Sequence, residues 1–431
     1  MIDRIAITRW QFLFILAALG LIAHGFAYPW QRQRTARVPI IALAIGGATA
    51  LAIARFGHID QAIRQSVPSH FYLVLTVTLA LTSTVIGTWR WMSWTKRMVG
   101  IAGALAALTF FGAIVNANYG YALTIGDLRG TRLASHIRSD ELIGQKRDAR
   151  ARSPYPSRIE GATTSIEIPG TTSRFMGRTA VIWVPPAYLT EPNRVFPVIV
   201  LLHGTPGAPD NWIRSAGAEH TANRYARTHN GVAPILVFPD INGSLAGDTE
   251  CVNSHRGNAE TYLSVDVPQF VKSHFRASTK ASSWMIAGFS EGGTCSVMLA
   301  LRHPDTFTKF ADFSGDTAPT LGTKSITLAG LFDGNSAALQ AHSPLEILKH
   351  NAPRIAGFFT AGTADAAGSA SVTELFSASK KAGLDVQLTL APGGHNFHFW
   401  KAAFRRAFNQ LADSLTQADV VAKHFDRYMR R

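Results

Sequence analysis

Four apolar runs before residue 120 constrain this 431-residue chain more than any other feature. None of them contains Asp, Glu, Lys or Arg. A helix needs about 20 residues, range about 17–25, to cross the hydrocarbon core of a bilayer, and each run is close to that length. Charged residues make up 16% of the chain, where about 25% is usual. The runs are Phe12–Tyr28, Val38–Ala54, Phe71–Thr88 and Val99–Ala117.

The flanks and composition of these runs favour four transmembrane helices within residues 1–121. Aromatic residues cluster at the ends of the runs, as in interfacial belts, and small residues such as Gly46, Gly47, Gly100 and Gly103 suit close helix packing. Four buried core helices are the alternative. A cleaved signal peptide is a further alternative for the first run alone. The aromatic residues at the ends are Trp10, Tyr28, Trp30, Trp89, Trp91, Trp94, Tyr119 and Tyr121.

The orientation of the spans in the membrane is predicted from the basic residues of the loops. Six Lys or Arg residues lie in loops one and three, and six lie on the opposite side when Arg129 and Arg132 are counted. Residues that lead into a long domain count less in the positive-inside rule. We therefore expect a multi-pass protein of the cell membrane with both termini, and the domain that follows, on the extracytoplasmic side.

A basic connector over residues 122–154 precedes a segment of different character, residues 155–431. The connector is rich in Arg and Lys, and we expect a helix around Arg132–Leu142. After it, short apolar runs alternate with helical patterns, which predicts an α/β domain with a mostly parallel sheet. Helices are expected at Val265–Phe275, Gly292–Leu301 and Ser371–Ala382. Strands are expected at Ala180–Val184, Pro197–Leu202, Ile235–Phe238, Trp284–Gly288, Phe310–Ser314, Gly357–Thr360 and Val386–Leu390.

Charge and cysteine content exclude several classes of protein. The net charge is +14, but the basic residues are spread along the chain without a long Lys/Arg block. We therefore expect no nucleic-acid partner. Two cysteines exclude a disulfide-dense scaffold and a four-cysteine metal site, and nothing in the sequence calls for a metal or an organic cofactor.

The pentapeptide Gly288–Gly292 reads G-F-S-E-G and lies between a predicted strand and a predicted helix. This context is typical of a nucleophile elbow, a tight turn that exposes a serine hydroxyl and needs glycines on both sides. Ser290 is therefore the candidate nucleophile. The alternative is a serine that caps an ordinary helix.

A serine nucleophile needs a base, and the base needs an acid that orients it. In hydrolases of this kind the chain order is Ser, then Asp or Glu, then His. His395 follows the last predicted strand in a glycine-lined loop, and Asp365 follows the strand before it. We predict His395 as the base and Asp365 as the acid. Asp312, Asp316 and Asp333 compete with Asp365, and His398 is expected to have a packing or supporting role.

An oxyanion needs preorganised donors, usually backbone N–H groups. We expect one from Glu291, directly after the nucleophile, and one from Thr205 in the loop after the strand that ends at Leu202. Cys251 and Cys295 lie on two segments that border this predicted site. A disulfide between them and two unrelated thiols both remain open, and the bond would favour an oxidising compartment.

Several stretches together resemble the putative esterase family of the α/β-hydrolase superfamily, which includes S-formylglutathione hydrolases, ferulic acid esterase domains and actinobacterial mycolyltransferases. The resemblance covers about residues 160–410 and implies the nucleophile at Ser290, the acid at Asp365 and the base at His395. Mycolyltransferases have Glu as the acid, so Asp365 departs from them. The spans resemble those of predicted actinobacterial membrane hydrolases. The matching stretches are Val181–Tyr188, His203-Gly204, Pro239-Asp240, Gly288–Gly293 and Gly394-His395.

The sequence thus predicts a membrane-anchored serine esterase that acts on a carboxylic ester, with a lipid or cell-envelope ester favoured by its location. Acyl transfer and aminoacyl-phospholipid hydrolysis are alternatives with the same catalytic residues. Two alternatives come from other classes: a non-catalytic hydrolase-fold binding module on a membrane scaffold, and a four-span transporter with an accessory domain.

Overall fold

The molecule divides into two compact units, Met1–Thr131 and Arg132–Arg431. This division falls inside the predicted connector, residues 122–154, whose bounds stay a prediction. The computed structural model describes residues 17, 19–24, 27–28, 37–56, 68–122, 136–147, 159–245, 247–350 and 352–428.

The first unit contains three long apolar helices: α1 (Val38–Phe56), α2 (Ser69–Thr88) and α3 (Trp94–Tyr119). Within the described residues, these three are long and apolar enough to cross a membrane. They correspond to three of the four predicted spans. Much of the first predicted span, Phe12–Tyr28, lies outside the described residues, so a four-span arrangement stays a prediction.

Glycines allow the helices of this unit to approach closely, as their sequence positions suggest. A Cβ at Gly46 of α1 would lie 2.7 Å from the backbone oxygen of Thr76 in α2. A Cβ at Gly103 of α3 would lie 3.3 Å from the backbone oxygen of Gly20. Larger residues at either glycine would therefore push the helices apart.

A short helix, α4 (Ser139–Arg147), stands at the start of the described part of the second unit. The expected helix around Arg132–Leu142 is wrong in its bounds, because His136 instead forms a parallel bridge with Thr163. The helix begins at Ser139, and Asp140 and Glu141 follow in its first turn. Negative charge at this end complements the helix dipole.

The second unit is built on an eight-stranded sheet in the order β1-β2-β4-β3-β7-β8-β9-β10. β1 and β2 are antiparallel to their neighbours, and the other strands are parallel. All seven predicted strands are present, and β1 and a two-stranded ribbon (β5, β6) are additional. The bounds are β1 Ala162–Ile166, β2 Ala180–Val184, β3 Val198–Leu202, β4 Ile235–Phe238, β5 Asn253–Ser254, β6 Gly257–Asn258, β7 Trp284–Phe289, β8 Lys309–Phe313, β9 Ala356–Gly362 and β10 Asp385–Ala391.

Helices cover both faces of the sheet and bury an apolar layer on each side. In β3, Ile199 and Leu201 face one layer, and Val198, Val200 and Leu202 face the other. Strands buried on both faces are apolar throughout, which is why their sequences show no alternation. The helices of this unit after α4 are α5 Pro186–Thr190, α6 Asn211–Arg214, α7 Ala218–Thr228, α8 Ala259–Thr261, α9 Val267–His274, α10 Glu291–Arg302, α11 Lys324–Phe332, α12 Ser336–His342, α13 Pro344–His350, α14 Ala366–Lys381 and α15 Phe397–Tyr428.

The three predicted helices of this unit correspond to α9, α10 and α14. The first differs most, because a π-helix at Tyr262–Asp266 joins α8 to α9. Pro268 lies just after the π-helix and has no backbone N–H to donate, so the hydrogen-bond pattern changes there.

Candidate active site

Ser290 lies on the turn between β7 and α10, with φ 57° and ψ −125°. A non-glycine residue rarely adopts a positive φ, and such strain concentrates at functional sites. Its neighbours need to be glycine: a Cβ at Gly288 would lie 2.0 Å from the Gly292 oxygen, and one at Gly292 would lie 2.4 Å from the His203 oxygen. The turn therefore has the tight geometry that the G-x-S-x-G pattern predicts.

The structure brings His395 and Asp365 to this serine. The Nε2 atom of His395 lies 2.9 Å from Ser290 Oγ, and its Nδ1 atom lies 2.8 Å from Asp365 Oδ2. All three residues are buried. They follow β7, β9 and β10, and the carboxyl ends of parallel strands meet at one edge of a sheet.

Hydrogen bonds fix the Asp365 carboxylate. Asp365 is the N-cap residue of α14, and its Oδ1 accepts from the backbone N–H of Gly368 at 3.0 Å. Burial would raise the pKa of Asp365, but the hydrogen bond and charge of His395, with the Gly368 N–H, hold it below the usual value. In this arrangement an ionised Asp365 can hold the imidazole proton on Nδ1, so that Nε2 is able to accept a proton from the serine hydroxyl.

The competing carboxyl groups occupy other places. Asp312 lies on β8 with its side chain fully buried, and burial raises its pKa to about 8. At neutral pH it is protonated and cannot act as an orienting carboxylate. The backbone N–H of Asp316 donates to Thr294 Oγ1 at 2.8 Å, and Asp333 ends α11. His398 is exposed on the first turn of α15.

The loop after β3 approaches Ser290 at Gly204, where a Cβ would lie only 3.0 Å from the Ser290 Cβ. This glycine lets the backbone that continues into Thr205 lie against the serine. Glu291 follows Ser290 and starts α10. Thr205 and Glu291, the two residues that the sequence proposes as oxyanion donors, therefore follow directly after Gly204 and Ser290, which lie close together.

A buried charge network supports this loop and was not predicted from the sequence, although His203 and Asp240 belong to the resembling stretches. Asp240 Oδ1 lies 3.0 Å from His203 Nε2 and accepts from Arg178 Nη2 at 2.6 Å. Arg178 Nη2 also donates to the Gly207 oxygen at 2.9 Å. Burial would raise the pKa of Asp240, but hydrogen bonds from His203 and Arg178 hold it well below the usual range. The network thus ties both ends of the segment His203–Gly207.

Cys251 and Cys295 form a disulfide with a Cα–Cα distance of 5.7 Å. The sequence left open a disulfide or two unrelated thiols, and the structure has the disulfide. It joins the loop after β4 to the second turn of α10, one turn beyond Glu291. Among the residues that the structure describes, no group of three or more His, Cys, Asp or Glu side chains is placed to hold a metal ion.

The strained serine turn, the Ser290–His395–Asp365 chain and the mostly parallel sheet define an α/β-hydrolase fold. Residues 174–411 match the family model described as "Putative esterase". The chain therefore belongs to this esterase family, as the sequence resemblance predicts.

Individual proteins and solved structures are similar to parts of this chain. The chain is 37% identical over 263 residues to a Corynebacterium glutamicum protein described as uncharacterized, a match that covers 58% of this chain and 62% of that protein. A ferulic acid esterase structure covers 60% of this chain and 100% of its own, with a TM-score of 0.50 and 17% identity. An S-formylglutathione hydrolase structure from Agrobacterium tumefaciens covers 60% of this chain and 97% of its own, with a TM-score of 0.51 and 18% identity. At such identities these structures show the fold alone.

Proposed function

We propose that this protein is a membrane-anchored serine esterase. The observation that carries the proposal is the continuous hydrogen-bond chain from Ser290 Oγ through His395 to Asp365, at 2.9 Å and 2.8 Å. A serine of this kind on a strained turn, with a histidine and a carboxylate in line, is the arrangement that activates a hydroxyl for attack on an acyl group.

In the proposed reaction, Ser290 Oγ attacks the ester carbonyl while His395 Nε2 takes its proton. The Asp365 carboxylate stabilises the imidazolium that forms. The backbone N–H groups of Thr205 and Glu291 hold the negative oxygen of the tetrahedral intermediate. His395 then protonates the leaving alcohol, and an acyl-enzyme on Ser290 remains. A water molecule, activated by His395, releases the acid and restores the serine.

We place the catalytic domain at residues 155–431, after a membrane region at 1–121 and a connector at 122–154. Three described helices are long and apolar enough to cross a bilayer, which supports membrane anchoring. The Cys251–Cys295 disulfide supports an extracytoplasmic position, since disulfides persist in oxidising compartments. An enzyme held beside the bilayer meets lipid and envelope esters first, and these are the substrate class that we propose.

The test labels the active serine with a fluorophosphonate probe. Wild type and Ser290→Ala are compared in intact cells, using a membrane-impermeant probe, and in lysed membranes. We expect Ser290-dependent labelling of intact cells. Labelling only after lysis would keep the enzyme and reverse the proposed orientation. Folded wild-type protein that never reacts would contradict the esterase and favour a binding module.

A further inference from the structure

Glu291 is proposed above for its backbone N–H, but its side chain also enters the site. The carboxyl group is buried between the loop after β3 and the loop after β4. Its Oε1 accepts from the backbone N–H of Glu250 at 3.1 Å, and its Oε2 accepts from Asn242 Nδ2 at 2.8 Å. Oε2 also forms a short hydrogen bond with the hydroxyl of Thr205. The residue after the nucleophile therefore contacts the residue proposed as the opposite oxyanion donor.

The hydrogen-bond count at the Thr205 hydroxyl indicates the protonation state of Glu291. Thr205 Oγ1 accepts from Asn242 Nδ2 at 2.6 Å and lies 3.2 Å from the Gly247 backbone oxygen, besides its contact with Glu291. A hydroxyl has one proton and cannot donate to both Gly247 and Glu291. All contacts are satisfied when Glu291 is protonated, donates to Thr205 Oγ1, and leaves the Thr205 proton for Gly247.

The surroundings favour the same neutral form. Burial, and then the negative charge of Asp248, raise the pKa of Glu291 to about 8. The titratable side chains near it on the facing loop are those of Asp248 and Glu250, and both are acidic. The hydrogen bonds that Asn242 Nδ2 and the Glu250 N–H donate to this carboxyl group act in the opposite direction but do not outweigh burial.

We propose that Glu291 is a positioning residue, whose neutral carboxyl group holds Thr205 so that the two oxyanion donors keep a fixed spacing. One residue then supplies one donor from its backbone and fixes the other through its side chain. A negative charge at this point would repel the oxyanion that the site must stabilise. The uncharged acid satisfies the hydrogen bonds at Thr205 without that repulsion. This inference rests on the proposed esterase function.

The experiment measures kcat and KM of the full-length protein in detergent, with a p-nitrophenyl ester, from pH 6 to pH 10. We expect wild-type kcat to fall above about pH 8 as Glu291 ionises. In Glu291→Gln this fall is absent. Its kcat at pH 7 is about fivefold below wild type, because the amide nitrogen meets Asn242 Nδ2 and one hydrogen bond is lost.

Variants of Thr205 test the contact from its other side. Thr205→Val keeps the backbone N–H and removes the hydroxyl. We expect kcat to fall about 10- to 100-fold, which is less than the loss when a whole oxyanion donor is removed. KM should stay within about threefold of wild type. Thr205→Ser restores the hydroxyl and most of the activity. Because Glu291 and Thr205 belong to one hydrogen-bond network, the losses should be less than additive: the double variant Glu291→Gln/Thr205→Val should lose little beyond Thr205→Val alone.

Two controls separate this effect from general changes in charge. Glu374→Gln removes a carboxyl group from an exposed position on α14 and should leave the pH profile unchanged. Asp312→Asn removes the other buried carboxyl group whose pKa is raised to about 8, and the fall above pH 8 should remain. Thermal melts of each variant show that it is folded.

An active wild type whose Glu291→Gln variant shows the same fall above pH 8 would overturn the positioning role and leave the esterase intact. Additive losses in the double variant would do the same. A wild type without esterase activity or Ser290-dependent labelling would overturn both the function and this inference.

Discussion

The buried Asp312 gives a stability prediction with a calculable dependence on pH. Its Oδ1 atom accepts from the Gly315 N–H at 2.7 Å, and its Oδ2 atom makes no hydrogen bond within the described residues. Burial raises the pKa of this carboxyl group from 3.8 to about 8. The folded protein therefore retains a proton at pH values where the unfolded chain has released it.

The magnitude follows from the linkage between proton binding and folding. Between about pH 4 and pH 8 the folded state binds one proton more than the unfolded state at Asp312, so a rise in pH favours unfolding. The full effect is about 1.4 kcal/mol per pH unit, or up to about 2.7 kcal/mol from pH 5 to pH 7. Asp312→Asn has no titrating proton at this position. The free energy of unfolding of Asp312→Asn, relative to that of wild type, should therefore rise by up to about 2.7 kcal/mol between pH 5 and pH 7.

The assay is thermal unfolding of the detergent-solubilised protein at pH 5, 6 and 7 and constant ionic strength, followed by near-UV circular dichroism. For a unit that spans Arg132–Arg431, the difference in Tm between Asp312→Asn and wild type should grow by roughly 4 °C from pH 5 to pH 7. Asp333→Asn is the matched control, since Asp333 is exposed and Asn tolerates its positive φ of 49°. If the difference in Tm between Asp312→Asn and wild type is the same at pH 5, 6 and 7, the reasoning is refuted.

Three further variants test other parts of the site. Asp365→Asn should lower kcat about 10⁴-fold with the fold retained, because the wrong tautomer of His395 then faces Ser290; a loss under tenfold would contradict the role of Asp365. Asp240→Asn leaves the part-exposed Arg178 without its charge partner and should cost about 1–3 kcal/mol, measured by thermal melts, where an unchanged Tm would count against it. Cys251→Ser should cost about 2–4 kcal/mol, and dithiothreitol should destabilise wild type by a similar amount while leaving the Tm of Cys251→Ser unchanged.

Local sequence patterns predicted the parts of the fold that are buried on both faces. Strands such as Val198–Leu202 and Trp284–Phe289 are apolar throughout because helices cover both sides of the sheet. The serine turn was predictable for a similar reason, since Gly288 and Gly292 are required by contacts within the turn and with the neighbouring strand.

The sequence did not predict elements whose formation depends on contacts with residues far away in the chain. The edge strand Ala162–Ile166 contains Thr163, Thr164 and Ser165, and its identity as a strand comes from antiparallel pairing with Ala180–Val184. The helices between β8 and β9 were missed as well. In α12 (Ser336–His342), the side chain of Asn335 caps the first turn by accepting from the Ala338 N–H, and no residue of the helix is fully buried. A helix without a buried stripe has little of the periodicity that a sequence pattern detects.

The side chain of Glu291 shows most clearly what the sequence could not supply. Its position after Ser290 was enough to predict its backbone as a donor, because that role depends on the turn alone. The role of the carboxyl group depends on Glu250, Asn242 and Thr205, which lie 41, 49 and 86 positions away in the chain. A charged residue type is expected at the surface, so only the folded molecule indicates that this one is buried and contacts Thr205, the other residue proposed as an oxyanion donor. The same residue then contributes to the proposed reaction twice, and its two contributions are separable, because Glu291→Gln changes the side chain and keeps the backbone N–H.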